Sequence, residues 1–416
     1  MNKRKACSYI ACLISLFLLI GCSTIDKSKD LVENNIPSTE ENQGNIQTPI
    51  EEIDPIKEQI KEMSLEEKIG QIVMVGLEDY TLDDNSRKMI ENYYVGGFII
   101  FSKNVEDSAQ LLSLINSLKE TNFKNRIPLF ISIDEEGGRV SRIPKEIKKL
   151  PANRKIGQMN NKELSYKIGT ILAEELNMFG FNMDFAPVLD INSNPKNPVI
   201  GDRAFGAEPD IVSNLGIQTM KGIQSGRVIS VIKHFPGHGD TSVDSHVGLP
   251  TIDHDLERLK SFELVPFKEA IDNEADAVMV AHILLSKIDS DYPSSLSKTV
   301  ITNILREDLG FDGVVITDDM TMGAISENYE IGNAAIKAIN AGSDIVLVAH
   351  GFENSITVID SIKAAVENGV IPGERLDESV YRVLKLKQKY NILDQTKDTI
   401  DVEEINNIIK EILDEF

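Results

Sequence analysis

Between residues 72 and 349 the chain alternates short apolar runs, rich in Val and Ile, with longer segments whose apolar positions recur at helical spacing. The runs fall at 72–75, 97–101, 129–134, 181–187, 228–234, 277–283, 313–318 and 344–349. Amphipathic patterns separate them at 107–121, 162–178, 209–225, 256–273, 299–309, 332–341 and 353–368, and a last one covers 375–390. Runs that are apolar almost throughout, rather than at every second position, predict parallel strands covered on both faces. Eight such runs alternating with helices, over about 330 residues, predict a single (β/α)8 barrel of the TIM type. An open doubly wound sheet is the alternative, and the lack of a Gly-rich dinucleotide fingerprint after any run weighs against it.

A barrel of this kind keeps its chemistry at the C-terminal ends of its strands. Those positions hold Asp134, Asp184, Lys233 with His234, His282, Asp318 and His350. Asp318 continues the alternation of Val314 and Ile316, so if those two point inward it faces the axis at the rim. A lone Asp at a strand end is more often a cap or a loop hydrogen-bonder, a role that Asp319 could fill instead.

The most polar connection follows the fifth run. Residues 233–250 read Lys-His-Phe-Pro-Gly-His-Gly-Asp-Thr-Ser-Val-Asp-Ser-His-Val-Gly-Leu-Pro and carry three of the six histidines. Pro236, Gly237 and Gly239 exclude a helix, which leaves a folded loop. Three readings are open: histidines that satisfy local backbone groups, a metal site, or acid–base chemistry. The His234 to His238 spacing suits a metal only on a helix. In Asp244-Ser245-His246 a carboxylate can meet one imidazole nitrogen and leave the other to exchange a proton. With Asp134, Lys233, His234 and Asp318 at the same rim, this makes a polar pocket suited to a polyhydroxylated ligand.

Composition changes the picture mainly at the N-terminus. The net charge of −23 argues against a nucleic-acid partner. All three cysteines, Cys7, Cys12 and Cys22, lie in the first 22 residues, so the remainder has no thiol nucleophile and no disulfide. Lys3, Arg4 and Lys5 precede an apolar stretch, 10–20, that is too short to span a bilayer. It ends Leu19-Ile20-Gly21-Cys22, which resembles the lipobox of bacterial lipoproteins and implies cleavage before Cys22 and its acylation. Plain secretion or an uncleaved helical anchor are the alternatives. Residues 22–55, rich in Asn, Glu, Ser and Thr, read as a disordered tether. Ser64-Leu65-Glu66-Glu67 is a capping box that opens a helix.

The stretch Lys233-His234-Phe235-Pro236-Gly237-His238-Gly239, followed after four residues by Asp244-Ser245-His246, resembles the signature of family 3 glycoside hydrolases of the β-N-acetylglucosaminidase branch. Residues 63–71, 133–140, 201–206 and 294–297 look like the same family. The resemblance implies that Asp318 is a nucleophile forming a covalent glycosyl-enzyme and that His246, oriented by Asp244, is the acid/base. It further implies that Asp134, Arg203, Lys233 and His234 bind sugar hydroxyls, with no metal or cofactor. Cell-wall glycans of the muropeptide or GlcNAc-MurNAc kind would be the substrates.

The expected organisation is therefore a lipoprotein signal at 1–21, a tether at 22–55, a catalytic barrel at 56–395 and an acidic helical tail at 396–416. The location is extracytoplasmic, with the chain held at the cell membrane through lipid. The two-domain form of the family adds an α/β sandwich, and none is expected here. The rival functions are phosphorolysis of the same glycosides and non-catalytic sugar binding.

Overall fold

A computed structural model describes residues 54–245 and 248–416. The expected signal, Cys22, the expected tether up to residue 53 and His246 lie outside the described residues. These form ten strands, namely β1 (Val73–Gly76), β2 (Gly97–Ile100), β3 (Phe130–Ile133), β4 (Met183–Asp184), β5 (Ile229–Phe235), β6 (Thr251–Ile252), β7 (Ala277–Val280), β8 (Leu284–Leu285), β9 (Val314–Thr317) and β10 (Val346–Val348). Eight of them make one sheet in the order β10-β1-β2-β3-β4-β5-β7-β9, and each neighbouring pair in that order is parallel. A parallel bridge from Ile316 to Ile345 links β9 to the entry of β10 and brings the ends of the sheet together. The expected barrel is therefore present, and β6 and β8 pair only with each other, beside its mouth.

The predicted runs map onto the eight barrel strands because each is buried on both sides. Met74, Ile99, Phe130, Met183, Val231 and Ile316 fill the interior, while a second set of apolar side chains packs the sheet against the outer helices. Two departures have local causes. β4 is only two residues long, since Pro187 has no N–H to give the ladder. The segment 256–273 divides into helices Leu256–Ser261 and Val265–Asp272, with Pro266 at the start of the second, where a missing N–H costs nothing.

Helix Pro55–Glu62, at the start of the segment expected to be the barrel, is capped by Asp54 and begins with Pro. The Ser64 capping box is formed: Ser64 Oγ accepts from Glu67 N at 3.1 Å and Glu67 Oε2 accepts from Ser64 N at 2.8 Å. In the tail, helix Val402–Leu413 buries Ile405, Ile409 and Ile412. Its Asn406 accepts from Lys148 N (2.7 Å) and donates to Glu146 O (2.8 Å), fixing the connection after β3.

The N-terminal end of the barrel is closed by Lys387, on helix Gly373–Lys389. Its buried ammonium donates to Gln71 Oε1 (2.8 Å), Gly96 O (2.9 Å) and Pro128 O (2.7 Å), and lies 4.5 Å from the centre of the Phe130 ring. Three acceptors and a ring face thus stand in for water. Lys387→Ala leaves those acceptors without their donor and opens a void, and we expect a loss on the order of 3 kcal/mol in denaturant unfolding. Lys387→Met, which restores most of the volume, should recover only part of it. Full recovery by Met would show that packing, and not the hydrogen bonds, is what matters there.

Candidate active site

At the C-terminal mouth the chain gathers ionised and hydrogen-bonding side chains from the connections after β3, β4 and β5. Lys233 Nζ donates to Asp134 Oδ1 (2.6 Å) and pairs with Glu136 Oε1 (2.7 Å). Arg203 grips the same Glu136 with two bonds, Nε to Oε2 at 2.8 Å and Nη2 to Oε1 at 2.7 Å. Arg203 Nη2 also reaches His234 Nε2 (3.2 Å), and the other ring nitrogen of His234 meets Asp190 Oδ2 (2.6 Å). The four residues expected to bind sugar are therefore in one network. Lys233 and His234 are consecutive, yet both belong to it, which simple strand alternation forbids. The register between β5 and β7 shifts between Ile232 and Phe235, and that irregularity re-aims the pair.

Two members of the network, Glu136 and Asp190, escaped the reading of the sequence. Burial raises the cost of charge on Glu136, but Arg203 and Lys233 outweigh it and hold the carboxyl well below the usual range. Burial likewise opposes ionisation of Asp190, and the His234 ring and the His238 backbone N–H overcome it. For Lys233, burial is opposed by Asp134 and Glu136, which together push the ammonium above its ordinary value.

The loop after β5 is held at its base. His238 N donates to Asp190 Oδ1 (2.6 Å), and Asn197 Nδ2 donates to His238 O (2.8 Å). The His238 ring is bracketed by Thr241 Oγ1 at Nδ1 (2.7 Å) and Ser245 Oγ at Nε2 (3.2 Å), and burial lowers its pKa. A Cβ at Gly239 would lie 1.7 Å from Ile191 O, so only glycine allows this approach. At Ser245 the loop meets the helix Gly323–Ser326 that follows β9, where Ala324 N donates to Ser245 O (3.1 Å).

Val314 and Ile316 point into the barrel, and Asp318 follows them at the rim, half-buried. Its Oδ1 accepts from Asp319 N (2.9 Å), and its own N–H donates to Val280 O (2.9 Å). Asp319 has the structural role suggested for it: Oδ1 accepts from Thr321 N and Ala349 N, each at 2.9 Å. His282 is buried between Ser295 Oγ (2.6 Å) and Asp319 O (2.9 Å). His350 is half-exposed and stacks near Phe101, with ring centres 5.1 Å apart.

Asp184 is not in the pocket. Its neighbours Met183 and Phe185 face the barrel interior, so Asp184 faces the helices, fully buried with Glu135 and Glu175. Asp184 Oδ1 accepts from Glu135 N (3.0 Å), while its Oδ2 and both oxygens of Glu175 have no hydrogen-bond partner among the described residues. Burial pushes Glu135 up to about 7, and burial together with mutual repulsion raises Glu175 and Asp184 well above the carboxylate range.

A parallel eight-stranded barrel with this constellation at its C-terminal mouth has the architecture of a barrel glycosidase. The sequence profile of the glycosyl hydrolase family 3 N-terminal domain matches residues 64–386, and the chain belongs to that family. Beta-hexosaminidase A of Pseudoalteromonas piscicida is 37% identical over 333 residues, which are 74% of this chain and 56% of that protein. The chain thus spans just over half the length of that relative. Beta-hexosaminidase LpqI of Mycobacterium tuberculosis is 33% identical over 333 residues, 78% of this chain and 83% of that protein. A solved family 3 beta-N-acetylglucosaminidase from Paenibacillus sp. str. FPU-7 has a TM-score of 0.80 at 42% identity, covering 84% of this chain and 68% of that one. Among the described residues no helix is long and apolar enough to cross a membrane.

The three carboxyls behind β3 and β4 set a pH dependence. Their folded pKa values lie above the unfolded ones, so the folded state binds protons more tightly, and the stability this contributes fades as pH rises through about 7, where Glu135 ionises. Glu175→Gln mimics the protonated acid and cannot ionise. Its melting temperature should fall less between pH ~6 and ~9 than that of the parent. Parallel curves for the two proteins would show that the cluster does not titrate in this range.

Proposed function

We propose that the chain is a retaining exo-β-N-acetylglucosaminidase that removes the non-reducing terminal GlcNAc of cell-wall-derived glycans. The Asp318 carboxylate attacks the anomeric carbon as the bond to the aglycone oxygen breaks, and His246 gives that oxygen its proton. The glycosyl-Asp318 ester is then attacked by water, which His246 deprotonates, and Asp318 leaves as carboxylate. Two displacements at one carbon give net retention. Asp244 orients the His246 imidazole and favours its protonated form. Asp134, Arg203, Lys233 and His234 hold the hydroxyls of the terminal sugar, a neutral ligand for which the pocket offers both donors and acceptors.

The observation that supports this most is the bond from Ala324 N to Ser245 O (3.1 Å), which ties the residue between Asp244 and His246 to the helix Gly323–Ser326 that follows Asp318. Names borne by the family relatives point the same way, since both curated proteins are called beta-hexosaminidase. The lipobox-like Leu19-Ile20-Gly21-Cys22 supports an extracytoplasmic protein held to the membrane by acyl chains on Cys22.

Asp318→Ala should lower kcat for an aryl N-acetylglucosaminide by about 10⁴-fold or more and leave binding of GlcNAc in place. A fluorinated N-acetylglucosaminyl donor, whose glycosyl-enzyme hydrolyses slowly, should add one sugar mass to the peptide containing Asp318. Labelling of any other residue removes Asp318 as nucleophile. With a GlcNAc-MurNAc disaccharide the product should be free GlcNAc with or without phosphate; a sugar 1-phosphate would instead make the chain a phosphorylase.

A further inference from the structure

Asp190 is fully buried, so it cannot touch a sugar, yet it joins two parts of the site. Its Oδ2 meets His234 Nδ1 (2.6 Å), and its Oδ1 accepts from His238 N (2.6 Å) and from His234 N (3.3 Å). Guanidinium nitrogens only donate. The His234 Nε2 that faces Arg203 Nη2 at 3.2 Å is therefore the acceptor, and the ring proton sits on Nδ1, where the Asp190 carboxylate takes it.

We infer that Asp190 is a positioning residue for the reaction: it locks His234 in the Nδ1–H tautomer while seating the base of the loop that carries Asp244. One carboxylate then ties the recognition of the terminal sugar to the placement of the catalytic loop. The inference rests on the reading of the pocket as a glycoside site, although the tautomer can be measured without it. An aspartate that fixes an imidazole tautomer is exposed by its amide analogue, which keeps the shape and reverses the donor.

In Asp190→Asn the amide oxygen can still accept from His238 N and His234 N. Its NH2 then faces His234 Nδ1, drives the ring proton to Nε2, and sets that N–H against the Arg203 donors. Asp190→Ala removes both functions. Nitrogen-15 NMR of the histidine-labelled full chain near pH 7, with the His234 signal assigned by its loss in His234→Gln, should show the Nδ1–H tautomer. It should show Nε2–H in Asp190→Asn. With an aryl N-acetylglucosaminide, Asp190→Asn should raise KM about tenfold or more and change kcat by less than about threefold, while Asp190→Ala should lower kcat about tenfold as well. Partial unfolding would reduce kcat and leave KM alone.

An Nε2–H tautomer or an imidazolium in the parent protein overturns the inference, as does an unchanged KM in Asp190→Asn. If the parent cleaves no hexosaminide but shows the Nδ1–H tautomer, the functional reading fails and the positioning by Asp190 stands. If Asp190→Asn does not fold, the parent's tautomer still decides.

Discussion

At the barrel mouth, Asp190, His234, Arg203, Glu136, Lys233 and Asp134 hold one another in an unbroken series of contacts, none longer than 3.2 Å. Two cations and three carboxylates are withdrawn from water there, and each is tolerable only because the next is in place. A buried pair of this kind adds little stability over an apolar substitute, but removing one partner costs about 3–5 kcal/mol. The series therefore holds geometry. It fixes where Lys233, Arg203 and His234 present their hydrogen bonds at the mouth.

The barrel makes such a series possible because its connections after consecutive strands end beside one another. Asp134 and Glu136 follow β3, Asp190 and Arg203 lie between β4 and β5, and Lys233 and His234 are within β5. No short segment of the chain could place these six groups together. Adjacent parallel strands, linked through outer helices, do so at one end. The same connections carry a close backbone approach, Gly239 against Ile191 O, which brings the loop after β5 onto the segment that contains Asp190.

Much of this was legible in the sequence, for definite reasons. The eight strands stood out because strands buried on both faces are apolar throughout, and Asp318 could be placed from the alternation of Val314 and Ile316. The loop after β5 stood out by its composition. Asp184 misled: it was read as a strand-end carboxyl although it lies inside the run 181–187, and the strand's alternation turns it towards the helices. Glu136 and Asp190 were missed because each follows another acidic or apolar stretch with nothing local to mark it. Their roles come from partners far away in sequence: Arg203 and Lys233 for Glu136, and His234 and His238 for Asp190. A search for carboxylates within two or three residues after each run would have found Glu136 and Asp190 as candidates, without ranking them.

The consecutive residues Asp134, Glu135 and Glu136 show how far environment can separate like groups. Glu136 faces two cations and is held well below the usual carboxylate range; Glu135, one peptide unit away, faces Asp184 and Glu175 and is pushed up to about 7. Burial raises the cost of charge for both. The difference is how far the neighbours offset that cost: Arg203 and Lys233 outweigh it at Glu136, whereas the Arg142 N–H (2.8 Å) and the charge of Lys149 do not outweigh it at Glu135. Along its length a barrel strand uses alternation to divide apolar side chains between the interior and the outer layer. Just past the end of β3 the same alternation turns Glu136 towards Arg203 and Lys233, which keep it ionised, and Glu135 towards the buried Asp184 and Glu175, where burial favours the protonated form.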